Sequence, residues 1–486
     1  MATDARDAPL PPLGRAQSLA WAAVLAGVAC LLQLMIPFIF DADTAYHLAV
    51  ARLIRAHGVL HAFPWTSFSW LSDHYADKEL AFHFLLAPLA SLDPLTASRI
   101  AGAVLGGAVL VSIYAVLRLC RASQPELWSL AVLTSSSMFL VRFCMVRPHL
   151  LSLLLALWLT WAGARRRRAL VFLACLAYPF CYVAWHLGLL LVIAAEVALA
   201  ASGQGFRWRM PAWASLGLAL GVAVHPNFPE LLSLFWTQNV EILVRTAWAN
   251  QPGFELGGEF LPFGAFAALQ NLLWPTLCAA MAVWVSWRHR REEPTLAVFT
   301  SAAVMFLALT ARSQRFVEYA VPFCVLAGAM AAPRLRWKAL GPAVTLASLV
   351  WMGTVGRQPV AWLASRGEDI PASVGAEWRA LIPEGAQVFT CDWGLTGELM
   401  LELPERRFMV ALDPVFFWKK DPRRYRLWYD AVRSSPPNPG DLLRSEFGAT
   451  YVLCDDRREW SAFVRQLELD PTVRKRLTGG WLLGAL

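Results

Sequence analysis

Eleven apolar stretches constrain the fold of this 486-residue chain more than any other feature. A helix needs about 20 apolar residues to cross the hydrocarbon core of a bilayer, and most of these stretches approach that length. The sequence therefore predicts a polytopic α-helical membrane protein. The expected spans are 18–40, 97–117, 126–141, 148–164, 169–185, 187–202, 211–224, 264–287, 295–311, 316–333 and 338–356.

The charged residues divide the chain near residue 358. Only 16% of all residues are charged, against about 25% in soluble domains. Residues 359–486 carry 17 basic and 18 acidic residues, whereas residues 1–358 carry 26 basic and 17 acidic ones. We therefore expect a membrane domain at 1–358 and a small soluble α/β domain at 359–486. The chain's net charge of +8 is therefore the sum of +9 in the membrane domain and −1 in the soluble domain, and nucleic acid is not needed to explain it.

A short apolar segment at 80–92 decides the topology. If it does not cross the membrane, 15 of the 26 basic residues of the membrane domain lie on one side. Because loops rich in Lys and Arg stay in the cytoplasm, that side is the cytoplasmic one. They are Arg15, Arg118, Arg121, Arg165–Arg168, Arg207, Arg209, Arg288, Arg290, Arg291, Arg334, Arg336 and Lys338. This arrangement places the N-terminus inside and the C-terminal domain outside. The first span follows only Arg6 and Arg15 and precedes no cleavage site, so we expect it to remain as an anchor.

Other polar residues collect on the outer side of this topology. They are Asp41, Asp43 and His47; Arg142, Arg147 and His149; His186 and His225; and Arg312, Arg315 and Glu318. Ionisable groups at membrane depth usually face an internal cavity and mark function. We expect His186 and His225 to be packed polar residues rather than ligands.

The first outer loop, 41–79, contains an amphipathic pattern. Apolar side chains at helical spacing predict a short interfacial helix at 44–57, and Gly58 is a natural terminator. Asp43 and His47 are four residues apart and share a face of this helix. Asp43 could instead be only the helix N-cap, but a cap needs one carboxylate and leaves Asp41 unexplained.

The order of several short motifs resembles the bacterial GT-C membrane glycosyltransferases. The first loop contains Asp41-x-Asp43-x-x-x-His47-Leu48, Gly58, Pro64-x-Thr66-x-Phe68-Ser69 and Lys78-Glu79-Leu80. Later stretches that resemble the same family are Arg147-Pro148-His149-Leu150-Leu151-Ser152, Trp185-His186-Leu187-Gly188, Cys391-Asp392-Trp393-Gly394, Asp413-Pro414 and Gly448-Ala449-Thr450-Tyr451-Val452-Leu453. Protein O-mannosyltransferases and the enzymes that add aminoarabinose to lipid A are more distantly similar. One departure is His225-Pro226-Asn227-Phe228-Pro229, where Asn-Pro-x-Gly is expected.

The resemblance implies a GT-C-like fold and an inverting glycosyltransferase of the bacterial inner membrane. The expected donor is a sugar on a polyprenyl phosphate, and the acceptor is a hydroxyl of an envelope glycolipid, polysaccharide or protein on the periplasmic face. The C-terminal domain would then be periplasmic. Consistent with a lipid-linked donor, the chain contains no nucleotide-binding G-x-x-x-x-G-K-[ST] or G-x-G-x-x-G motif.

Such a reaction needs a base for the acceptor hydroxyl and cations for the leaving phosphate. An Asp in a low-dielectric cavity can be the base, so we expect Asp43 to act and Asp41 to orient it or to join a metal site. Arg donates two parallel hydrogen bonds to a phosphate, although an Arg at a helix end can instead reach for lipid headgroups. The expected phosphate ligands are Arg147 and His149, followed by Arg142 and Arg315.

Three more residues of the loop complete the predicted site. His47, Lys78 and Glu79 are expected to contact the acceptor or to support the catalytic residues. A divalent ion such as Mg²⁺ or Mn²⁺ could bind through Asp41, Asp43, His47 and Glu79, although this spacing fits no diagnostic metal site. A bound phospho-sugar would separate Asp43 from Arg147 by about 5–8 Å.

The C-terminal domain has three β-rich runs, at Ala386–Cys391, Arg407–Leu412 and Ala449–Cys454. Cys391 and Cys454 could form a disulfide in an oxidising compartment. Two other functions remain open from the sequence. One is a lipid or sugar transporter or flippase, although no two halves with matching interrupted spans are visible. The other is a non-catalytic envelope assembly protein whose outer domain recruits partners.

Overall fold

The computed structural model of the protein describes residues 14–242, 257–335, 339–357, 361, 370–455, 459–478 and 481–486. The expected domain boundary at 358 and the basic residues Arg6, Arg336 and Lys338 lie outside these ranges. The helices before the C-terminal domain are α1 Arg15–Leu34, α2 Ala42–His57, α3 Leu80–Leu86, α4 Pro94–Leu119, α5 Pro125–Thr134, α6 Ser137–Cys144, α7 His149–Ala164, α8 Arg168–Cys181, α9 His186–Leu199, α10 Arg209–Ala223, α11 Glu230–Phe235, α12 Ala265–His289, α13 Pro294–Arg312, α14 Val317–Ala331 and α15 Leu340–Thr354.

Several of these helices are long and apolar enough to cross a membrane. The described residues contain six of them, at Arg15–Leu34, Pro94–Leu119, His186–Gln204, Ala265–His289, Pro294–Arg312 and Gln314–Leu335. Four shorter apolar helices occupy Leu80–Leu89, His149–Ala164, Arg168–Cys181 and Leu340–Thr354. The mostly helical, apolar architecture expected from the sequence is therefore present. Helix α10, Arg209–Ala223, overlaps the expected span at 211–224 but is not among these apolar helices.

The expected single span at 126–141 is instead a bent pair of short helices. Helices α5 and α6 meet at an angle of 93°. The bend occurs because Ser136 is extended and its hydroxyl accepts a hydrogen bond from the backbone of Phe139, which starts a new helix. Asn271 of α12 stabilises the break, since its Oδ1 accepts from the backbone N–H of Met138 at 2.8 Å. The chain after α6 then leads directly to Arg147.

The first loop forms the predicted amphipathic helix. Helix α2 spans Ala42–His57, and Gly58, with φ of 76°, ends it. The N-cap is Asp41, whose carboxylate accepts from the backbone N–H of Thr44; the interpretation of Asp43 as the cap is therefore wrong. The ten-residue apolar helix at Leu80–Leu89 is about 15 Å long, half the thickness of a hydrocarbon core of about 30 Å.

The C-terminal domain is an α/β unit. Its described residues contain the strands β1 Val388–Thr390, β2 Tyr451–Asp455, β3 Arg474–Thr478 and β4 Trp481–Ala485 and the helices α16 Ala372–Leu381, α17 Thr396–Glu402, α18 Val415–Lys420, α19 Pro422–Arg433, α20 Pro439–Phe447 and α21 Ser461–Leu469. The sheet order is β1-β2-β4-β3, with β1 parallel to β2 and the other pairs antiparallel. A disulfide joins Cys391 to Cys454 across neighbouring strand ends, with the Cα atoms 5.2 Å apart.

One predicted strand of this domain is wrong, and two strands were not predicted. Residues 407–412 make only one bridge, between Gln387 and Arg407, because the chain turns away into the Asp413-Pro414 segment. Strand β3 was missed because its sequence, Arg-Lys-Arg-Leu-Thr, carries three cations and lies at the sheet edge, where charge is favoured over an apolar pattern.

The C-terminal domain packs directly on the first loop. The indole of Trp65 donates to the carbonyl oxygen of Pro404 at 2.8 Å, and the backbone N–H of Phe408 donates to Trp65. Helix α17 approaches α2 so closely that a Cβ at Gly397 would lie 2.0 Å from the carbonyl oxygen of Ala42. The start of α2, with Asp41 and Asp43, is thus held between the membrane domain and the soluble domain.

Candidate functional site

Arg147 lies at the centre of the site and contacts both aspartates of the first loop. Its Nε donates to Asp41 Oδ2 at 2.7 Å, and one terminal nitrogen donates to the other oxygen of Asp41. Its remaining terminal nitrogen is 2.8 Å from Asp43 Oδ2. Asp43 and Arg147 therefore meet directly, and the separation of about 5–8 Å that a bound phospho-sugar requires is absent.

The two aspartates have different environments. Burial acts to raise the pKa of Asp41, but Arg147 and Thr44 outweigh it and lower this pKa below its ordinary value. Burial, together with the charges of Asp41 and Glu259, raises the pKa of Asp43 despite Arg147. The shift at Asp43 is limited because 43% of its side chain is exposed and water screens it. When the pKa values of two neighbouring carboxyl groups shift in opposite directions, the group with the lowered pKa stays charged and the group with the raised pKa is the better candidate for a proton acceptor.

Glu259, which the sequence reasoning missed, connects three arginines. Its carboxylate lies 3.0 Å from Arg142, 3.4 Å from Arg315 and 3.6 Å from Arg147. Burial acts to raise its pKa, but the three guanidinium groups lower it well below the ordinary value. The signal was present in the sequence, since the same topology places Glu259 in an outer loop opposite unpaired cations.

A second acid supports the arginines from the membrane side. Arg142 donates through Nε to Glu318 at 2.9 Å, and the Tyr182 hydroxyl donates to the same carboxylate at 3.2 Å. Arg315 in turn donates to the Tyr182 hydroxyl at 2.9 Å. Arg142, Arg147 and Arg315 are therefore brought together as predicted, but each is already paired with an acid or a hydroxyl.

The predicted phosphate ligand His149 lies behind this cluster. Its Nε2 donates to the carbonyl oxygen of Arg142 at 3.0 Å, and it is buried at the start of α7. Its Nδ1 has no hydrogen-bond partner within the described part of the chain. Its contact with the Arg142 backbone fixes the turn that precedes Arg147.

The remaining loop residues form a separate buried group. His47 Nδ1 lies 2.9 Å from His83 Nε2, and His83 Nδ1 lies 2.8 Å from the Asp77 carboxylate. Glu79 joins the two histidines, with the ligand atoms of His47, Glu79 and His83 all within 4.8 Å of one another. The expected metal set of Asp41, Asp43, His47 and Glu79 is therefore divided, because both aspartates contact Arg147 instead.

Lys78 and the segment 225–229, whose sequence differs from the expected Asn-Pro-x-Gly, hold the first loop in place. Lys78 donates to Gln238 at 2.8 Å and lies 3.7 Å from Glu79. Asn227 Oδ1 accepts from the backbone of Asp77, and its amide nitrogen donates to the carbonyl oxygen of Leu60. The His225 ring packs at a tilt against Phe180, and the His186 ring packs edge-on against Phe235.

A small cavity opens beside Asp43 at the junction of the two domains. Its walls come from α2 and from the C-terminal domain: Ala42, Asp43, Tyr46, Trp393, Gly394, Gly397, Met400, Ala411 and Leu412. The Asp413 that follows is buried, and burial raises its pKa to about 7. Two of the stretches that carried the resemblance thus lie at this cavity: Trp393 and Gly394 of 391–394 line it, and Asp413 directly follows the lining residue Leu412.

The fold is that of the GT-C membrane glycosyltransferases. ArnT from Cupriavidus metallidurans, solved with undecaprenyl phosphate, is similar over 97% of this chain and 98% of its own, with a TM-score of 0.62 and 12% identity. The arabinofuranosyltransferase AftD from Mycobacteria is similar over 98% of this chain and 40% of its own, with a TM-score of 0.61 and 17% identity.

The oligosaccharyltransferase AglB from Archaeoglobus fulgidus, solved with an inhibitory peptide and a dolichol-phosphate, is also similar. It covers 90% of this chain, which covers 69% of AglB, with a TM-score of 0.60 and 12% identity. No protein-family model and no curated protein matches the sequence. At these identities the likeness establishes the fold, and the activity has to be argued from the site.

Proposed function

We propose that this protein is a membrane glycosyltransferase that moves a sugar from a polyprenyl-phosphate carrier to a hydroxyl of a cell-envelope acceptor. The observation that carries this proposal is the contact of Asp43 with Arg147, at 2.8 Å, beside a cavity between the two domains. A proton acceptor and a phosphate-binding cation are the two charged groups that the reaction needs. The fold, shared with proteins solved with undecaprenyl phosphate and dolichol-phosphate, supports a lipid-phosphate donor.

Asp43 is the general base of this proposal. Of the two aspartates, Asp43 is the one whose pKa is raised, and its side chain is partly exposed next to the cavity. Asp41 is buried, caps α2 and is held by Arg147 and Thr44, so it orients Arg147 and cannot readily reach a substrate. A base whose pKa approaches the working pH transfers protons most efficiently.

Arg147 receives the donor phosphate, with Arg142 and Arg315 beside it. All three guanidinium groups now face the Glu259 carboxylate, which occupies the place and carries the charge sign of a phosphate. An incoming phosphate has to displace Glu259 and separate Arg147 from Asp43. This exchange opens the gap in which the sugar is held.

The proposed step is an in-line displacement at the anomeric carbon. The acceptor O–H loses its proton to Asp43, the acceptor oxygen forms a bond to the anomeric carbon, and the bond from that carbon to the phosphate oxygen breaks. The electron pair leaves with the polyprenyl phosphate, whose added charge Arg147 and Arg315 stabilise. Attack opposite the leaving group inverts the anomeric configuration.

The acceptor enters from the cavity lined by Tyr46 and Trp393 in this proposal. Its walls belong to both domains, so the C-terminal domain selects the glycolipid, polysaccharide or protein that is modified. The charge distribution of the loops and the oxidised pair Cys391–Cys454 support a site on the periplasmic face of a bacterial inner membrane.

The test compares Asp43→Asn with Asp73→Asn in a strain that lacks the native protein. Asp73 lies in the same loop and pairs with Lys420 on the surface, so it controls for loss of an aspartate. We expect the wild type and Asp73→Asn to restore the sugar composition of the envelope glycans, measured by mass spectrometry, and Asp43→Asn to fail at equal membrane abundance.

A second arm tests the donor. Purified protein in lipid nanodiscs is titrated with undecaprenyl phosphate and binding is followed by native mass spectrometry. We expect Arg147→Gln to weaken binding by about tenfold, the equivalent of about 1.4 kcal/mol, and Arg312→Gln to leave it unchanged. Normal glycans with Asp43→Asn, or equal lipid binding by Arg147→Gln, would sink the proposal.

A further inference from the structure

We propose that His47, Glu79 and His83 form a buried site for one divalent transition-metal ion with the ligand preferences of zinc. The three side chains are 4%, 4% and 0% exposed, and their ligand atoms lie within 4.8 Å of one another. Two imidazoles and one carboxylate are a ligand set that zinc adopts when a further position is left for water. The site is distinct from the Asp43–Arg147 contact and does not rest on the proposed activity.

The spacing of the two imidazoles fits a shared ion. His47 Nδ1 and His83 Nε2 are 2.9 Å apart. Two nitrogens that each lie about 2.0–2.1 Å from one ion and subtend 90–109° at it are about 2.9–3.4 Å apart. The separation of the two nitrogens therefore already lies in the range for a shared ion. Binding would turn the two rings so that both lone pairs point at the ion, and would bring the Glu79 side chain closer.

Asp77 prepares His83 as a ligand. The His83 Nδ1–H donates to the Asp77 carboxylate at 2.8 Å, which leaves the Nε2 lone pair facing His47. Ligating histidines usually carry a carboxylate of this kind on their other nitrogen, which fixes the ring and its tautomer. Without an ion, the same atoms form a hydrogen-bonded chain from His47 through His83 to Asp77, and this chain is the competing interpretation.

Glu79 distinguishes the two interpretations. Its Oε2 is buried and has no hydrogen-bond partner among the described residues, while Lys78 lies 3.7 Å from its other oxygen. The hydrogen-bonded chain of His47, His83 and Asp77 is complete without Glu79. It would leave the buried Glu79 Oε2 without a hydrogen bond, which costs free energy. A cation accounts for the unsatisfied oxygen and for both facing nitrogens together.

The ion would tie together the two helices that carry the site. His47 lies on α2 one turn after Asp43, His83 lies on α3, and Glu79 immediately precedes α3. An ion on these side chains fixes α2 against α3 and thereby sets the position of Asp43 relative to Lys78. In this proposal the ion supports the first loop, and the position that the three side chains leave open is taken by water.

The experiment measures metal directly. The full-length protein is purified in detergent, dialysed against zinc chloride and then against metal-free buffer, and analysed by plasma mass spectrometry and zinc X-ray absorption. We expect about one zinc ion per chain, coordinated by two imidazole nitrogens and carboxylate oxygen. Glu79→Gln and His83→Gln should lose this zinc, whereas His57→Gln, at the exposed end of α2, should keep it.

A thermal measurement covers variants that fold poorly. A chelator should lower the melting temperature of the wild type and of His57→Gln and leave that of Glu79→Gln, which keeps the shape of the side chain, unchanged. The proposal is overturned if the wild type holds no zinc, if zinc remains in both cluster variants, or if the absorption spectrum lacks imidazole ligands. A zinc-loaded protein that transfers no sugar would contradict the proposed function alone.

Discussion

Two aspartates in one motif have different environments because of one helix turn. Asp41 accepts the N–H of Thr44 as the cap of α2 and is 6% exposed, whereas Asp43 lies inside the first turn and keeps contact with the cavity. Loss of the cap would cost about 1 kcal/mol, and two hydrogen bonds from Arg147 restrain the Asp41 side chain further. The sequence left Asp43 open as an alternative cap, because either aspartate satisfies the same preference.

Asp413 makes the stability of the protein depend on pH. Burial raises its pKa from 3.8 to about 7, so between these values the folded state binds more protons than the unfolded state. The contribution of Asp413 to the free energy of unfolding is therefore largest below about pH 4, and this contribution is lost as the pH rises through about 7. Asp413→Asn, which can still accept from the backbone of Val415, should raise the melting temperature at pH 8 and not at pH 4.

The size of this effect has an upper bound. A shift of about three units corresponds to about 4 kcal/mol at pH 8. The comparison is made by fluorescence-monitored unfolding in nanodiscs at both pH values, with Asp441→Asn on the exposed surface of the same domain as the control. An equal change at pH 4 and pH 8 would show that Asp413 is not neutral in the folded protein.

At the scale of elements, a short turn places an acid against the arginines of the site. The turn Gly258–Phe260 delivers Glu259 to three guanidinium groups. Glu259→Gln replaces an ionic partner with a neutral one, and hydrogen bonds to charged groups contribute about 1.5–3 kcal/mol each. We therefore expect this variant to bind undecaprenyl phosphate more tightly, by up to about tenfold for 1.4 kcal/mol, in the native mass spectrometry titration.

Glu230→Gln is the matched control, since Glu230 contacts only His74 among the ion pairs of the described residues and is exposed. It should bind the lipid phosphate as the wild type does. Unchanged or weaker binding by Glu259→Gln would mean that Glu259 orders the arginines for the lipid phosphate and does not compete with it.

The elements also show where prediction from the sequence succeeded. Topology placed Asp43 and Arg147 on one side of the membrane, because loops that the positive charges place on one side meet there, but the predicted separation of about 5–8 Å is wrong, since the two side chains are in contact at 2.8 Å. Glu259 was missed although the topology places it in an outer loop, because no motif singles out this one acid. His83 was missed because it lies inside the apolar segment at 80–92. The bend between α5 and α6 depends on Asn271, a contact over more than 130 residues that no local pattern reveals.

At the scale of the whole molecule, the C-terminal domain and the first loop act as one body over the site. Lys420 donates to Ser67 and pairs with Asp73, and Lys419 pairs with Glu241. These contacts require the soluble domain to lie on the same side of the membrane as the first loop. The disulfide between Cys391 and Cys454 favours the oxidising side.

Reporter fusions test this orientation. Alkaline phosphatase, which becomes active only after export, is fused after Leu486 in one strain and after Arg168 in another. We expect activity from the first fusion and none from the second, because the four-Arg run 165–168 lies on the cytoplasmic side by the positive-inside rule. In parallel, the purified full-length chain should contain a Cys391–Cys454 peptide in non-reducing mass spectrometry.

A fusion after Thr66 in the first loop makes the comparison complete, since Trp65 contacts the C-terminal domain. Activity of the fusions after both Thr66 and Leu486 would place the first loop and the C-terminal domain on the exported side of the membrane. Activity after Arg168 instead would invert the topology and would put the Asp43–Arg147 site on the cytoplasmic face, where a nucleotide sugar is available. That single reversal would remove the reason for a lipid-linked donor while leaving the geometry of the site unchanged.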